Sequence, residues 1–370
     1  FGFVGMMEYS FSELFYDDTK NAKKLKSSEY KDNGKYIIVD QGQKLIAGYT
    51  DIGNGLYLDT PVIIFGDHTR NIKFIDKPFY LGADGTKVLK STLKNANYKY
   101  LYYALKSSKI PNTGYNRHFK WLKELKFKRH SIIDQENIVN ILDSVQEIIA
   151  KYNKQLNMLD ELVKARFVEL FGDENNSRCF DMSTVKNVAE VKVGVVIKPS
   201  KYYTDSQNGV KTFRSLNIGD GFIKENEWVY FTEEGNLANS KSILKENDVL
   251  VVRSGNPGTS CVVTKKYEGC NAIDVIIARP KLNKVNSLYL SMYTNMPHGK
   301  IQIKEGTGGA AQQHFNVAKY NALKLILPPL ELQNQFADFV KEVDKSRLEV
   351  QKSLEKTQEL FDSLMQKYFG

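Results

Sequence analysis

Apolar residues recur in alternating steps of four and three from Ile138 through Leu142, Val145, Ile149, Tyr152, Leu156, Leu159 and Val163 to Leu170. That spacing is the a/d seam of a coiled coil. Only Arg166 interrupts it, and no Pro or Gly stands between Asp134 and Phe171. One helix of ~57 Å is therefore predicted, at 1.5 Å per residue. Gly172 is placed to end it. The same register returns 198 positions later, Phe336 standing for Ile138, and continues through Val340, Val343, Arg347, Val350, Leu354, Thr357, Phe361 and Leu364 to Tyr368. Residues off the seam repeat with the same offset: Gln135 with Gln333, Ile141 with Phe339, Leu162 with Leu360, Phe167 with Met365, and Phe171-Gly172 with Phe369-Gly370. Periodicity alone does not reproduce off-seam residues, so the chain contains an internal duplication.

Before each helix the pattern is strand-like. Short apolar runs at 36–39, 44–47, 56–58, 61–65, 72–75 and 87–89 are bounded by Gly, Asp, Asn or Pro and predict strands. A helix is expected at 97–105, and a helix or closing strand at 121–127. A similar order follows the first long helix, with strands expected at 193–197, 212–214, 228–231, 249–253, 260–264 and 272–278 and a helix at 287–294. Val62–Gly66 aligns loosely with Val251–Gly255, and Asn97–Leu101 with Asn286–Leu290, both at an offset of 189. The lobes also close alike, on Arg117-His118-Phe119 and Gln313-His314-Phe315. The expected plan is lobe 1–133, helix 134–172, lobe 173–330 and helix 331–370. The fold class is α+β: two β-rich mixed lobes and two long helices, paired as an antiparallel coiled coil in a pseudo-twofold repeat.

With 42% hydrophobic and 12% aromatic residues in 370, the chain can build ordinary cores. No run of 18 apolar residues occurs, and the opening Phe1-Gly2-Phe3-Val4-Gly5 is short and uncharged. Neither a membrane span nor a secretory signal is expected, and a cytoplasmic location follows. Three cysteines lack C-x-x-C spacing, and five histidines include no i, i+4 pair, so no metal site is expected. Charge is unevenly divided. Residues 1–133 hold 22 basic and 13 acidic side chains and 173–330 hold 20 and 15, whereas 134–172 hold 4 and 7 and 331–370 hold 6 and 8. The lobes are basic and the helices acidic, which puts the electrostatic footprint for a polyanion on the lobes.

Catalytic motifs are missing. Gly82-Ala83-Asp84-Gly85-Thr86-Lys87 lacks the spacing and hydroxyl of a phosphate-binding loop, and Leu327-Pro328-Pro329-Leu330 lacks the amide or acid that precedes the prolines of amino-methyltransferases. No catalytic residue is assigned. What stands out instead is a set of glycine-flexed loops with basic and amide side chains, the types that read base edges, while close-approach glycines free backbone N–H groups for phosphates. The candidate DNA contacts are Lys44, His68, Thr69, Arg70, Lys73, Lys87 and Arg117 in the first lobe. In the second they are Lys198, Arg214, Arg253, Ser254, Asn256, Gln312, Gln313 and His314. The acidic outer faces of the helices, at Glu147, Asp160 and Glu161, and their ends at Phe171 and Phe369 are a candidate docking surface. Two other readings fit a coiled coil with basic lobes: a structural adaptor whose lobes bind protein, or the recognition part of a fused methyltransferase or nuclease.

Phe65-Gly66-Asp67-His68-Thr69-Arg70 with Lys73-Phe74-Ile75-Asp76, then Gly82–Leu89, and Leu325–Gln333 leading into a long helix resemble the specificity subunits of Type I restriction–modification systems. The resemblance extends over the whole chain through its alternation of lobe and helix. It implies target recognition domains for lobes and a protein without chemistry of its own that binds double-stranded DNA at a split target. It also implies two methylation subunits that use S-adenosylmethionine and, in the full complex, restriction subunits that use ATP and Mg, with no cofactor on this chain. One departure is the entry to the first helix, Arg129–Gln135, which lacks the Pro-Pro of the second.

Overall fold

The run Val62-Ile63-Ile64-Phe65-Gly66 contains no polar side chain and forms a strand buried at all five positions, as a strand covered on both faces does. The computed structural model describes residues 7–82, 85–114, 116–307 and 315–370. It divides into two units, Phe1–Lys154 with Gln351–Gly370, and Gln155–Val350.

In the first unit the order is β1 (Met7–Ser10), α1 (Phe11–Leu14), β2 (Phe15–Asp17), β3 (Tyr36–Val39), β4 (Gly48–Thr50), β5 (Val62–Gly66), β6 (Ile72–Ile75), β7 (Phe79–Leu81), β8 (Thr86–Ser91), α2 (Tyr98–Ser107), α3 (Phe119–Lys123), β9 (Lys126–Arg129) and the start of α4 (Ile132–Phe171). These strands form an antiparallel sheet β2-β8-β5-β6, a sheet β4-β3-β7 with β3 and β7 parallel, and the pair β1-β9. Because side chains alternate across a strand, β5 serves two cores. Ile63 and Phe65 pack with Tyr100, Leu101 and Leu105 of α2, while Val62 and Ile64 pack with Val39, Phe79 and Leu81 of the second sheet.

The second unit repeats the plan with β10 (Asp181–Thr184), α5 (Val185–Val188), β11 (Ala189–Val193), β12 (Tyr203–Thr204), β13 (Val210–Phe213), β14 (Val229–Phe231), α6 (Glu233–Ala238), β15 (Val249–Val252), β16 (Ser260–Val262), β17 (Asn271–Ala272), β18 (Val275–Pro280), α7 (Ser287–Asn295), α8 (Pro297–Thr307), α9 (Val317–Asn321), β19 (Lys324–Leu327) and α10 (Leu330–Phe369). Its sheets are β11-β18-β15-β16, β12-β14-β13-β17 with β13 and β17 parallel, and β10-β19. Strand for strand, the central sheet and the closing pair match those of the first unit. Tyr100 of α2 donates its hydroxyl to the Lys128 carbonyl of β9 at 3.0 Å, and Tyr289 of α7 donates to the Ile326 carbonyl of β19 at 2.7 Å. The offset of 189 between those helices is therefore structural.

The same offset does not hold for the central strands. It would set Ile63 on Val252, yet Ile63 faces the helices whereas Val252 packs with Phe213 and Ile218 on the opposite face. Val249 and Val251 are the helix-facing residues of β15, so β5 and β15 align at an even offset, since a slip of one residue reverses the faces. Three expected strands also differ. Residues 44–47 and 56–58 lie outside the strands, with Leu45 and Leu58 exposed and Tyr57 making an isolated bridge to Phe79. The expected strand at 193–197 sits earlier, as β11, which leaves Val195 in a bridge to Ile273.

Both long helices contribute to both units, and within each unit their segments run antiparallel. In the first, Phe361, Met365 and Tyr368 of α10 join Ile138, Leu142 and Val145 of α4 in one cluster, and Phe369 meets His130 just before α4. In the second, Phe336 packs against Phe167 and Phe171 at 5.4 and 5.6 Å, while Arg347 pairs with Asp160. The charged seam positions are thereby accounted for. Arg347 also lies 3.3 Å from Asp344, and Arg166 sits over the Phe339 ring at 5.7 Å and pairs with Glu169 at 2.8 Å.

Candidate nucleic-acid interface

The turn between β5 and β6 is fixed from three directions. Gly66 allows the 40–44 loop to approach, since a Cβ there would lie 2.2 Å from Thr69 Oγ1 and 2.9 Å from Gln41 Cβ. The Gln41 carbonyl accepts from Thr69 Oγ1 at 2.6 Å and Asn71 Nδ2 at 3.0 Å, and its side-chain oxygen accepts from the His68 N–H at 3.2 Å. Arg70 takes a left-handed φ of 61° and reaches the Ile110 carbonyl with Nη1 at 3.3 Å. On the other side the buried Asp67 carboxylate accepts the Phe119 N–H at 2.7 Å, and the His118 N–H donates to the Asp67 carbonyl at 2.8 Å. This brings 40–44, 66–73, Ile110 and 116–119 into one loop cluster.

The predicted residues of the first lobe hold different positions in that cluster. Lys44, Thr69 and Arg117 are exposed, and His68 and Arg70 are half-buried. Lys73 is 5% exposed, its ammonium donating to the Asp40 and Lys44 carbonyls with Asp40 Oδ1 at 3.6 Å, and burial lowers its pKa. It holds the 40–44 loop. Lys87 pairs with Asp17 at 2.8 Å and lies over the Phe119 ring at 5.0 Å.

In the second unit the loop leaving β15 is tied to the segment before α9. The Phe315 N–H donates to the Arg253 carbonyl at 3.2 Å, Arg253 Nε donates back to the Phe315 carbonyl at 3.3 Å, and its Nη1 pairs with Asp274. Thus Phe119 and Phe315, the corresponding ends of the two closing segments, both dock on the turn that follows a central strand. Arg214 is half-buried and donates to the Glu227 carbonyl, Lys198 and Asn256 are exposed, and Ser254 is half-buried. Gln312, Gln313 and His314 lie outside the described residues. Gln41 and Asp274 position these loops without having been singled out in the sequence, where they have no local signature because their partners are remote, and Asp67, part of the Phe65–Arg70 motif, was not among the candidate contacts.

Among the described residues no group of three His, Cys, Asp or Glu side chains could hold a metal ion, and no helix is long and apolar enough to cross a membrane.

Residues 179–360 match the Type I restriction modification DNA specificity domain family. The EcoR124I/EcoR124II specificity subunit of a Type I restriction enzyme from Escherichia coli is 23% identical over 296 residues, 76% of this chain and 68% of its own length. The MjaVIII specificity subunit of a Type I restriction enzyme from Methanocaldococcus jannaschii is also 23% identical over 296 residues, covering 72% and 69%. In fold, the crystal structure of the S subunit of a Type I restriction–modification system from M. genitalium aligns over 99% of this chain and 96% of its own, with TM-score 0.60 and 18% identity. Residues 179–360 thus carry the DNA specificity domain of Type I restriction–modification systems. The chain's role is DNA sequence specificity within a restriction–modification complex, and the loop clusters above are the candidate contacts for that role.

The docking residues expected of such a specificity subunit are unequally placed. Glu147 and Glu161 are exposed, Glu161 pairing with Lys164 at 3.1 Å, whereas Asp160 is engaged with Arg347. Phe171 is 1% exposed in the second unit's core, and Phe369 is half-buried against Tyr100 at 5.3 Å. Off the seam of α4, Ile141 and Ile148 are exposed seven residues apart in the first unit, and Leu162 is exposed in the second.

Proposed function

We propose that each unit reads one half of a bipartite double-stranded DNA target and that the chain carries two methylation subunits and, in the full complex, restriction subunits to that target. The observation that supports this most directly is the duplication. One sheet order, one closing pair and one loop-on-turn tie occur twice, and the DNA specificity match covers most of the second copy. A split target is the natural ligand of a duplicated reader. The chain itself does no chemistry in this reading: S-adenosylmethionine, ATP and Mg belong to the partner subunits, and the complex works in the cytoplasm, where the DNA is. The exposed pair Ile141 and Ile148, beside Glu147, suits a partner's helix.

The test is to express the chain with its cognate methylation subunit and sequence the host methylome. A motif of two fixed parts separated by a gap of unspecified bases is expected. A continuous motif, or methylation that does not depend on this chain, would overturn the reading.

A further inference from the structure

In the second unit α8 covers the end of α4. His298, 3% exposed, packs edge-on against Phe167 at 5.3 Å, and its Nε2 lies 3.2 Å from the Gly172 carbonyl. Gln302 pairs with the Lys324 backbone of β19 in both directions, donating Nε2 to the carbonyl and accepting the N–H, each at 2.9 Å. Tyr293 donates its hydroxyl to the same carbonyl at 3.1 Å. Gly299 lets α8 lie close, since a Cβ there would sit 2.7 Å from the Tyr293 carbonyl.

The first unit presents the same surface without the cover. By the offsets that superpose the repeats, Ala104 stands for Tyr293, Lys126 for Lys324, Met365 for Phe167 and Phe369 for Phe171. No helix is described between Ser107 and Phe119. Where α8 would lie there is an open cleft of about 510 Å³, with Phe361, Met365 and Phe369 among its apolar lining. Four lysines, Lys106, Lys109, Lys126 and Lys128, line it against two acids, Glu8 and Asp362. Lys106 and Lys128 occupy the places of Asn295 and Ile326 in the second unit, so this excess of positive charge belongs to the open copy. Lys128 already donates to the Gly370 carbonyl at 2.6 Å, the counterpart of the carbonyl that His298 meets.

We propose that this cleft receives an acidic amphipathic helix of a methylation subunit, seated as α8 is seated in the second unit. Its apolar side would cover Phe361, Met365 and Phe369, its carboxylates would meet Lys106, Lys109 and Lys126, and a side-chain amide would pair with the Lys126 backbone as Gln302 pairs with Lys324. The eleven residues of α8 set the scale: about 16 Å of helix at 1.5 Å per residue. The two methylation subunits then dock by unequal contacts, because the equivalent place in the second unit is already filled by the chain itself. This rests on the partner reading above.

The test uses the full chain assembled with its cognate methylation subunit. A photo-crosslinking residue at Lys109 is expected to capture an acidic helical peptide of that subunit. Lys106→Glu with Lys109→Glu is expected to weaken assembly by at least about tenfold and to leave complexes with one methylation subunit by native mass spectrometry. The unfolding midpoint of that variant is expected to be retained, since Lys106 and Lys109 are both exposed. Two copies bound with unchanged affinity and no such crosslink would overturn the proposal while leaving the partner reading intact. A crosslink to residues 1–6 of the chain or to a second copy would also overturn it. Failure of the unaltered chain to bind any methylation subunit would overturn both.

Discussion

Gln135 and Gln333 make the same buried hydrogen bond in the two repeats: each donates its side-chain amide to the backbone carbonyl five residues upstream, His130 and Pro328, at 2.8 Å. The bond fixes the entry to each long helix, although one entry is Pro-Pro and the other is not. Gln333 in addition accepts the Asn286 N–H at 2.9 Å. Replacing either by Ala leaves a buried carbonyl without its partner, which costs about 1–3 kcal/mol. Urea unfolding is expected to show a loss for both variants and a larger one for Gln333→Ala.

Arg117 and Arg253 are expected to separate by role. Arg117 is exposed beside the first loop cluster, so Arg117→Ala should weaken DNA binding with no change in unfolding midpoint and, if it meets a phosphate, lower the salt slope by about 0.9. Arg253 ties its loop to Asp274 and Phe315. Arg253→Ala should destabilise the chain by about 1–3 kcal/mol in the absence of DNA. Binding titrations across salt concentrations, set beside thermal unfolding, distinguish the two.

Asp160 and Arg347 join α4 to α10 in the second unit. Asp160→Arg is expected to cost about 1 kcal/mol or less, since both groups retain solvent contact. Adding Arg347→Asp should recover only part of that loss, because it sets a second carboxylate beside Asp344, which lies 3.3 Å from the native guanidinium. A double-mutant cycle by urea unfolding measures this. Charge reversal at Glu147, free of that complication, is the better probe of partner docking.

Burial holds the His298 imidazole pKa below its ordinary value. The unfolded chain binds the proton more readily, so the group's contribution to stability is complete above about pH 6.5 and is lost as the pH falls through the folded value. Unfolding midpoints between about pH 7.5 and about pH 5.5 should therefore fall for the native chain. The decline is expected to be shallower for His298→Gln.

The long helices were legible because a seam is a local property: spacing, the absence of breakers and a terminal glycine suffice. The duplication was legible for the same reason, through Gln135 with Gln333 and the helix-bearing tyrosines. The loop residues were not. Lys73 looks like any loop-flanking lysine, and its burial is decided by carbonyls 33 and 29 residues upstream. Arg253 is decided by groups 21 and 62 residues downstream. The alignment of the lobes failed by one residue at β15 because an apolar run such as Val62–Phe65, buried on both faces, carries no alternation from which its register can be read.

The division of the chain between its units sets an order for its assembly during synthesis. Gln155–Val350 is contiguous, and all of it has been synthesised before residues 351–370 are made. The other unit begins first and finishes last: Phe11, Phe15 and Tyr100 share a core with Phe361, Met365 and Tyr368, which do not yet exist when the lobe emerges. That lobe waits with one wall of its interior exposed, so of the two units the one begun earlier is the one with the longer need for chaperones.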